Sequence, residues 1–170
     1  DVELTNDFLP FLYPNQYVNF SQDSKAVSLA AQLTSGLTSD VEALTAIYEY
    51  VTANITYDNE KAATVSGNYL PDIDETLSTK KGICFDYASL TAAMLRSIGI
   101  PAKLAIGYSA SVRHAWIDVY IQSVGWVERA VEFNGDEWKL MDPTFAATGT
   151  DESIQEYIED GDNYITEYIR

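Results

Sequence analysis

Apolar residues recur at helical spacing through roughly the first hundred positions and then alternate, so the chain reads as a helical part followed by a sheet part. Residues 1–23 follow neither rhythm. They mix Pro10, Pro14, Asn15 and Asn19 with five rings, which predicts an irregular arm ordered by packing its aromatics on the body. Ser24 can cap a helix over 25–35 that turns Ala26, Leu29, Ala30 and Leu33 to one side, with Gly36 as its stop. A second helix over 40–54, capped by Asp40, places Val41, Leu44, Ile47, Tyr48 and Val51 on one face, and the two helices should pack together. From 55 to 79 the pattern lapses into Asn, Asp, Gly and Pro, a long connection interrupted by one short helical turn near 74–77. A third helix runs over 84–97 behind Gly82, carries Ala88, Thr91, Leu95 and Ile98 as its apolar stripe, and ends at Gly99-Ile-Pro101.

Beyond Pro101 the period is two. Strands are predicted over 102–109, 114–122, 126–133 and 137–141, with Asn134-Gly135 among the turn signals, and consecutive strands of that kind form an antiparallel meander. The last twenty residues alternate acids with Ile and Tyr and are compatible with helix or strand. The fold class is therefore α+β, and 170 residues without a repeat or linker predict one domain: an arm at 1–23, helices over 24–99, sheet over 100–145 and an extension over 146–170.

Composition narrows the function. A hydrophobic share of 46% and 12 tyrosines describe a folded chain rather than an acidic tail. Ten basic against 26 acidic side chains give a formal charge of −16, which repels phosphate backbones and anionic lipid and so argues against nucleic-acid or membrane-surface roles. No run approaches the roughly 20 apolar residues of a membrane span. The start at Asp1 rather than Met suggests that a leader or a tag was removed, and a trimmed chain would start the same way; export is open, with an extracellular or cell-envelope site slightly favoured over the cytoplasm. Oligomeric state is left open by the sequence.

The chain holds one cysteine and one histidine, and both sit at element starts. Cys84 falls in the first turn of the third helix, where the helix terminus and a neighbouring imidazolium can lower a thiol pKa from about 8.5 to roughly 3.5–7.5. His114 begins a strand, and Asp142 ends a later one at Asp142-Pro143-Thr144. Strands of an antiparallel sheet can bring residues 28 positions apart together, so a Cys84 nucleophile, a His114 base and an Asp142 orienting carboxylate form a possible triad. Each residue alone has a plainer reading, as a small buried hydrophobe, a structural imidazole or a turn former.

Taken in order, Gly82-Ile-Cys84-Phe-Asp-Tyr-Ala88, Leu90, Met94-Leu-Arg96, Gly99-Ile-Pro-Ala102, Gly107-Tyr108, His114-Ala-Trp116 and Asp142-Pro-Thr144 resemble the core of the transglutaminase-like superfamily, bacterial type, over about 55–145. The resemblance implies a papain-like scaffold with the cysteine helix packed on a sheet, Cys84 as nucleophile, His114 as base and acid, and Asp142 as the carboxylate behind it. Two departures stand out. The family commonly passes from its histidine strand to its aspartate through one Gly-Trp turn, whereas Gly125-Trp126 is followed here by a further hairpin over 127–137 and by Trp138, a hairpin placed to border the groove. Animal transglutaminases use an indole before the cysteine as oxyanion donor, but Trp116, Trp126 and Trp138 all follow Cys84. The Cys84 backbone N–H and then Gln16, with Tyr69 as the alternative second donor, are the expected donors, and Tyr69 and Trp116 are placed in the substrate groove. Asp86 reads as a complement to the helix dipole, and Tyr57-Asp58 as scaffold for the long connection. Asp160-Gly161-Asp162 lacks calcium-loop spacing, and no metal or cofactor is expected.

These features predict a cysteine-dependent enzyme that acylates itself on a peptide or side-chain amide and passes the acyl group to water, as a peptidase or amidase. Transfer to an amine, or a non-catalytic module that binds protein or glycan, are the alternatives.

Overall fold

The computed structural model describes residues 7–109, 112–133, 138–140 and 164–169. Asp142 with its Pro-Thr, the Asn134-Gly135 turn and the Asp160-Gly161-Asp162 segment lie outside the described residues.

Five α-helices precede the main sheet: α1 (Lys25–Leu33), α2 (Asp40–Asn54), α3 (Asn59–Thr64), α4 (Ile73–Thr79) and α5 (Cys84–Ser97). Helix α5 is the axis of the molecule. Its residues from Cys84 through Arg96 are all buried, because α1, α2 and α4 pack on it together with two strands of the sheet. A helix enclosed on every side needs no single stripe, which is why small residues (Ala88, Ala92, Ala93) and large ones (Leu90, Met94, Leu95) are buried side by side. Arg96 is buried too. Its Nε and Nη2 donate to the Ala102 carbonyl at 3.0 and 2.7 Å and its Nη1 to that of Tyr13 at 2.8 Å, joining helix end, sheet and arm.

The sheet strands are β3 (Ala102–Ser109), β4 (Val112–Ile121), β5 (Gly125–Phe133), β6 (Trp138–Leu140) and β7 (Tyr164–Ile169). They lie in the order β6-β5-β4-β3-β7, antiparallel throughout, so the predicted meander is present and the tail contributes a strand on its far edge. Two short parallel strands, β1 (Thr56–Tyr57) and β2 (Lys81–Gly82), form a separate pair.

Three local expectations are corrected. Ser39, not Asp40, caps α2 by accepting from the Glu42 N–H at 3.2 Å, and this leaves the Asp40 carboxylate to accept from the Gln122 N–H at 3.0 Å. Ser24 precedes α1 but turns its hydroxyl back to the Ser21 N–H rather than into the helix. The long connection contains α3, too short to show a period, started by the Asp58 carboxylate on the Lys61 N–H at 2.9 Å. The arm is held by its rings: Phe8 and Phe11 meet Trp126, Phe8 also meets Tyr120, and the Lys103 ammonium lies over Trp126 and Phe11.

Candidate active site

The start of α5 is assembled from four segments. Thr56 and Tyr57 pair in parallel with Lys81 and Gly82, the Thr56 N–H donating to the Lys80 carbonyl and the Asp58 N–H to that of Gly82, each at 2.9 Å. This pairing fixes Tyr57 beside the turn that enters the helix. Gly82 is required there, since a Cβ on it would come within 2.7 Å of the Asp86 Cβ. Ile83 has no oxygen with which to cap, so the helix is closed from the other direction: the Asp86 Oδ2 accepts the Ile83 N–H at 2.9 Å.

Asp86 does more than complement a dipole. Its side chain is 0% exposed, and both oxygens are committed, Oδ1 to the Tyr69 hydroxyl at 2.5 Å and Oδ2 to the Lys61 ammonium at 3.0 Å as well as to Ile83. Lys61 also donates to the Tyr69 oxygen at 2.5 Å and lies against the Tyr69 ring. Burial works against the Lys61 charge, but its hydrogen bonds to Tyr69 and Asp86 outweigh that and hold its pKa above the ordinary lysine value. Burial, and then the hydrogen bond to Asp86, push the Tyr69 phenol up to about 12, so it remains an O–H donor. The network ties α3 and the Tyr69 loop to the first turn of α5. It also sets a cation against the one carboxylate lying two residues from Cys84, where an uncompensated negative charge would disfavour a thiolate.

Cys84 is 8% exposed and lines a cavity of about 220 Å³. Tyr69 lines it as well. One wall comes from Tyr57, Val65 and Tyr69, the floor from Ile83 and Phe85, and the opposite wall from Ile106 of β3 and Ala115 of β4, which are register partners. Burial, and then the charge on a Cys84 thiolate, raise the Tyr57 phenol above its ordinary pKa and keep it protonated.

His114 immediately precedes Ala115 on β4 and pairs with Gly107, the residue after Ile106, so it is next to the cavity along the chain while its ring is not part of the lining. It is 5% exposed, and its Nδ1 lies 3.9 Å from the Glu132 Oε1 of β5, longer than a hydrogen bond. Glu132 pairs with Trp116, which is buried two residues beyond His114 and outside the lining. The sequence reading passed over Glu132. Its signal was an acid, one of two in β5 with Glu128, in an alternating strand at a position the neighbouring strand buries. Among the described residues, none of β5 lines the cavity, and Glu132 of this strand approaches His114. Trp138 on β6 stacks on Tyr87 of α5 with ring centroids 4.5 Å apart, and its carbonyl accepts from the Tyr48 hydroxyl at 3.0 Å. Gln16 is exposed on the arm, between Tyr13 and Tyr17, whose carbonyls accept from Arg96 and Ser89 of α5, and it does not line the cavity.

The described residues hold no cluster of His, Cys, Asp and Glu suited to a metal ion, and no helix among them is long and apolar enough to cross a membrane.

Comparison with known proteins bears on the family and the fold. The chain is 27% identical over 139 residues to the uncharacterized protein YebA of Bacillus subtilis, covering 69% of itself and 19% of that protein. A UPF0252 protein of Methanocaldococcus jannaschii is 44% identical over 54 residues, 29% of this chain and 15% of its own length. The chain thus spans less than a fifth of either curated relative. The fold matches the crystal structure of the "Putative Cysteine Protease" of Cytophaga hutchinsonii with a TM-score of 0.60 at 21% identity, over 99% of this chain and 48% of that one. The family profile covers residues 27–129, a span that includes α5, the cavity and the histidine strand, and the chain belongs to the transglutaminase-like superfamily.

Proposed function

We propose that the protein is a cysteine-dependent acyl-transfer enzyme that hydrolyses peptide or side-chain amides. The observation that supports this best is the position of its one cysteine, in the first turn of a buried helix and opening on a cavity whose sheet wall adjoins its one histidine. In this reading the Cys84 thiol gives its proton to His114 and the thiolate attacks the amide carbon. The carbonyl oxygen becomes an oxyanion that the first-turn N–H groups of α5, which have no intrahelical acceptors, and the Tyr57 hydroxyl can meet. His114 then returns the proton to the departing amine, leaving a thioester on Cys84. A water gives a proton to His114 and attacks the thioester, and the acid leaves as the thiol re-forms. Asp142 is the carboxylate assigned to stabilise the imidazolium, and Glu132 is a second one near the same ring.

The test is a fluorogenic amide and peptide library assayed with and without an added primary amine, comparing the native protein with Cys84→Ala. Release of the fluorophore with water as acceptor, lost in Cys84→Ala, is expected. Turnover only when amine is present assigns amine transfer instead, and equal turnover by the two proteins removes the nucleophile. Failure of iodoacetamide to alkylate Cys84 in the folded protein favours the non-catalytic binding module.

A further inference from the structure

The cavity beside Cys84 has a chemical character that the reaction alone does not demand. Its lining is mostly apolar or aromatic, with Val65, Ile83, Phe85 and Ile106 beside Tyr57 and Tyr69; the Ser66 hydroxyl is a polar point in it, and among the described residues none of the lining is an acidic or basic side chain. The charged pair Lys61 and Asp86 is engaged with itself and with Tyr69, and Asp86 is fully buried. A volume of about 220 Å³ is smaller than the roughly 300–1,000 Å³ of pockets that take whole drug-sized ligands, and suits one side chain.

Resting on the reading of Cys84 as nucleophile, we propose that this cavity is a specificity pocket that accepts a large aliphatic or aromatic side chain on the acyl side of the scissile amide. A charged side chain entering it would be stripped of water with no ion to meet, and a small one would leave apolar wall in contact with water. The pocket also separates two effects of charge. The −16 balance draws cationic substrates toward the protein from a distance, whereas the side chain seated beside Cys84 is chosen for apolar bulk.

The experiment uses peptidyl fluoromethyl ketones that differ only in the first or second residue before the ketone (Leu, Phe, Ala, Asp or Lys), with the rate of Cys84 adduct formation followed by intact mass. Iodoacetamide, which has no side chain to seat, is run in parallel. At one of the two positions Leu and Phe should exceed Ala, Asp and Lys by at least about tenfold. Ala62 lines the cavity from the exposed side of α3, so Ala62→Lys should fold, and it should narrow the Leu-to-Asp ratio by about fivefold. Ready alkylation by iodoacetamide with equal rates across both series, or a preference that Ala62→Lys leaves unchanged, overturns the pocket while leaving the nucleophile intact. No alkylation by iodoacetamide in the folded protein overturns the nucleophile, and the pocket assignment falls with it.

Discussion

The two walls of the Cys84 cavity are built by different physics. On the helix side, position is set by charged and polar groups: a fully buried carboxylate, an ammonium, a phenol and two backbone N–H···O=C links hold β1, α3, the Tyr69 loop and the first turn of α5 together. On the sheet side, Ile106 and Ala115 are placed by the β3–β4 ladder and by apolar packing, and the polar contact next to them, His114 to Glu132, is a loose 3.9 Å. A buried ion held by several hydrogen bonds loses much of its stabilisation when any one partner is removed, whereas a strand position tolerates change if volume is kept. Cys84 therefore sits in the part of the molecule where single substitutions matter most, and His114 in a part where the question is which carboxylate backs it.

That question carries the largest expected effect. Asp142→Asn should lower turnover by about 10²–10⁴-fold, because an amide can hold an imidazole but cannot stabilise its charge, while Glu132→Gln should cost less than about tenfold. Steady-state kinetics on the two variants, with circular dichroism to confirm folding, decide it. The reverse ranking would move the orienting carboxylate from the segment after β6 to β5 and make the sheet wall as dependent on a buried acid as the helix wall.

How far the sequence disclosed each wall follows from the same difference. Helix α5 and the four strands after it were legible because period and punctuation are local, and the predicted bounds 84–97 and 102–109 coincide with the observed ones. Tyr69 stood out in the sequence as an aromatic in the long connection, and it lines the cavity. The Asp86–Lys61–Tyr69 network was not legible: it joins residues 8, 17 and 25 apart from a stretch read as loop, and nothing in the pattern says that a carboxylate at the third position of a helix will be fully buried. Glu132 escaped for a related reason, since acids in a strand usually mark the solvent face, as the exposed Glu128 of the same strand does. Tyr57 was read as scaffold because its place in the cavity depends on the two-residue β1–β2 pair, which is too short to leave a signature.

Removing the cation from the helix wall sharpens the comparison next. Lys61→Met leaves Asp86 buried with its neutral donors alone, and breaking a buried pair from one side should destabilise the protein by about 3 kcal/mol in urea unfolding. The same change sets an uncompensated negative charge near Cys84, so the pH profile of iodoacetamide alkylation should move to higher pH. A loss below about 1 kcal/mol with an unmoved profile would mean that the network is ornamental and that the two walls are held alike.

Alkaline pH should loosen the same wall by a smaller amount. The Lys61 pKa is raised above its ordinary 10.5 and that of Tyr69 from 10.0 to about 12, so the folded state holds these protons more tightly than the unfolded one. Their contribution is complete below about pH 10 and is lost as pH climbs through the folded values. Tyr57 and Tyr87, both raised chiefly by burial, act in the same direction, whereas Arg96, lowered by burial to about 10, opposes them. On the sheet side the shifted group is Asp118, raised by burial, and as a carboxylate it titrates far below this window. Urea midpoints should therefore fall between pH 9.5 and 11.5 in the native protein and fall less in Tyr69→Phe; parallel curves would remove the network from the alkaline response.

The smallest effect concerns which side-chain donor meets the oxyanion, and it tests whether the helix wall serves chemistry as well as position. Tyr57 lines the cavity with Cys84 and keeps its proton, because burial and then a Cys84 thiolate both disfavour the phenolate. Gln16 is exposed on the arm, outside the lining. One neutral hydrogen bond is worth about 1 kcal/mol and at most about 1.5, which corresponds to a factor of roughly five to ten in rate if it is made only in the transition state. Tyr57→Phe should accordingly lower kcat by about tenfold with KM nearly unchanged, since the ring that shapes the cavity is kept, and Gln16→Ala should change kcat by less than about twofold. A rise in KM with kcat intact would make Tyr57 a wall residue only. A loss confined to Gln16→Ala would bring the arm, and not β1, to the reacting carbonyl.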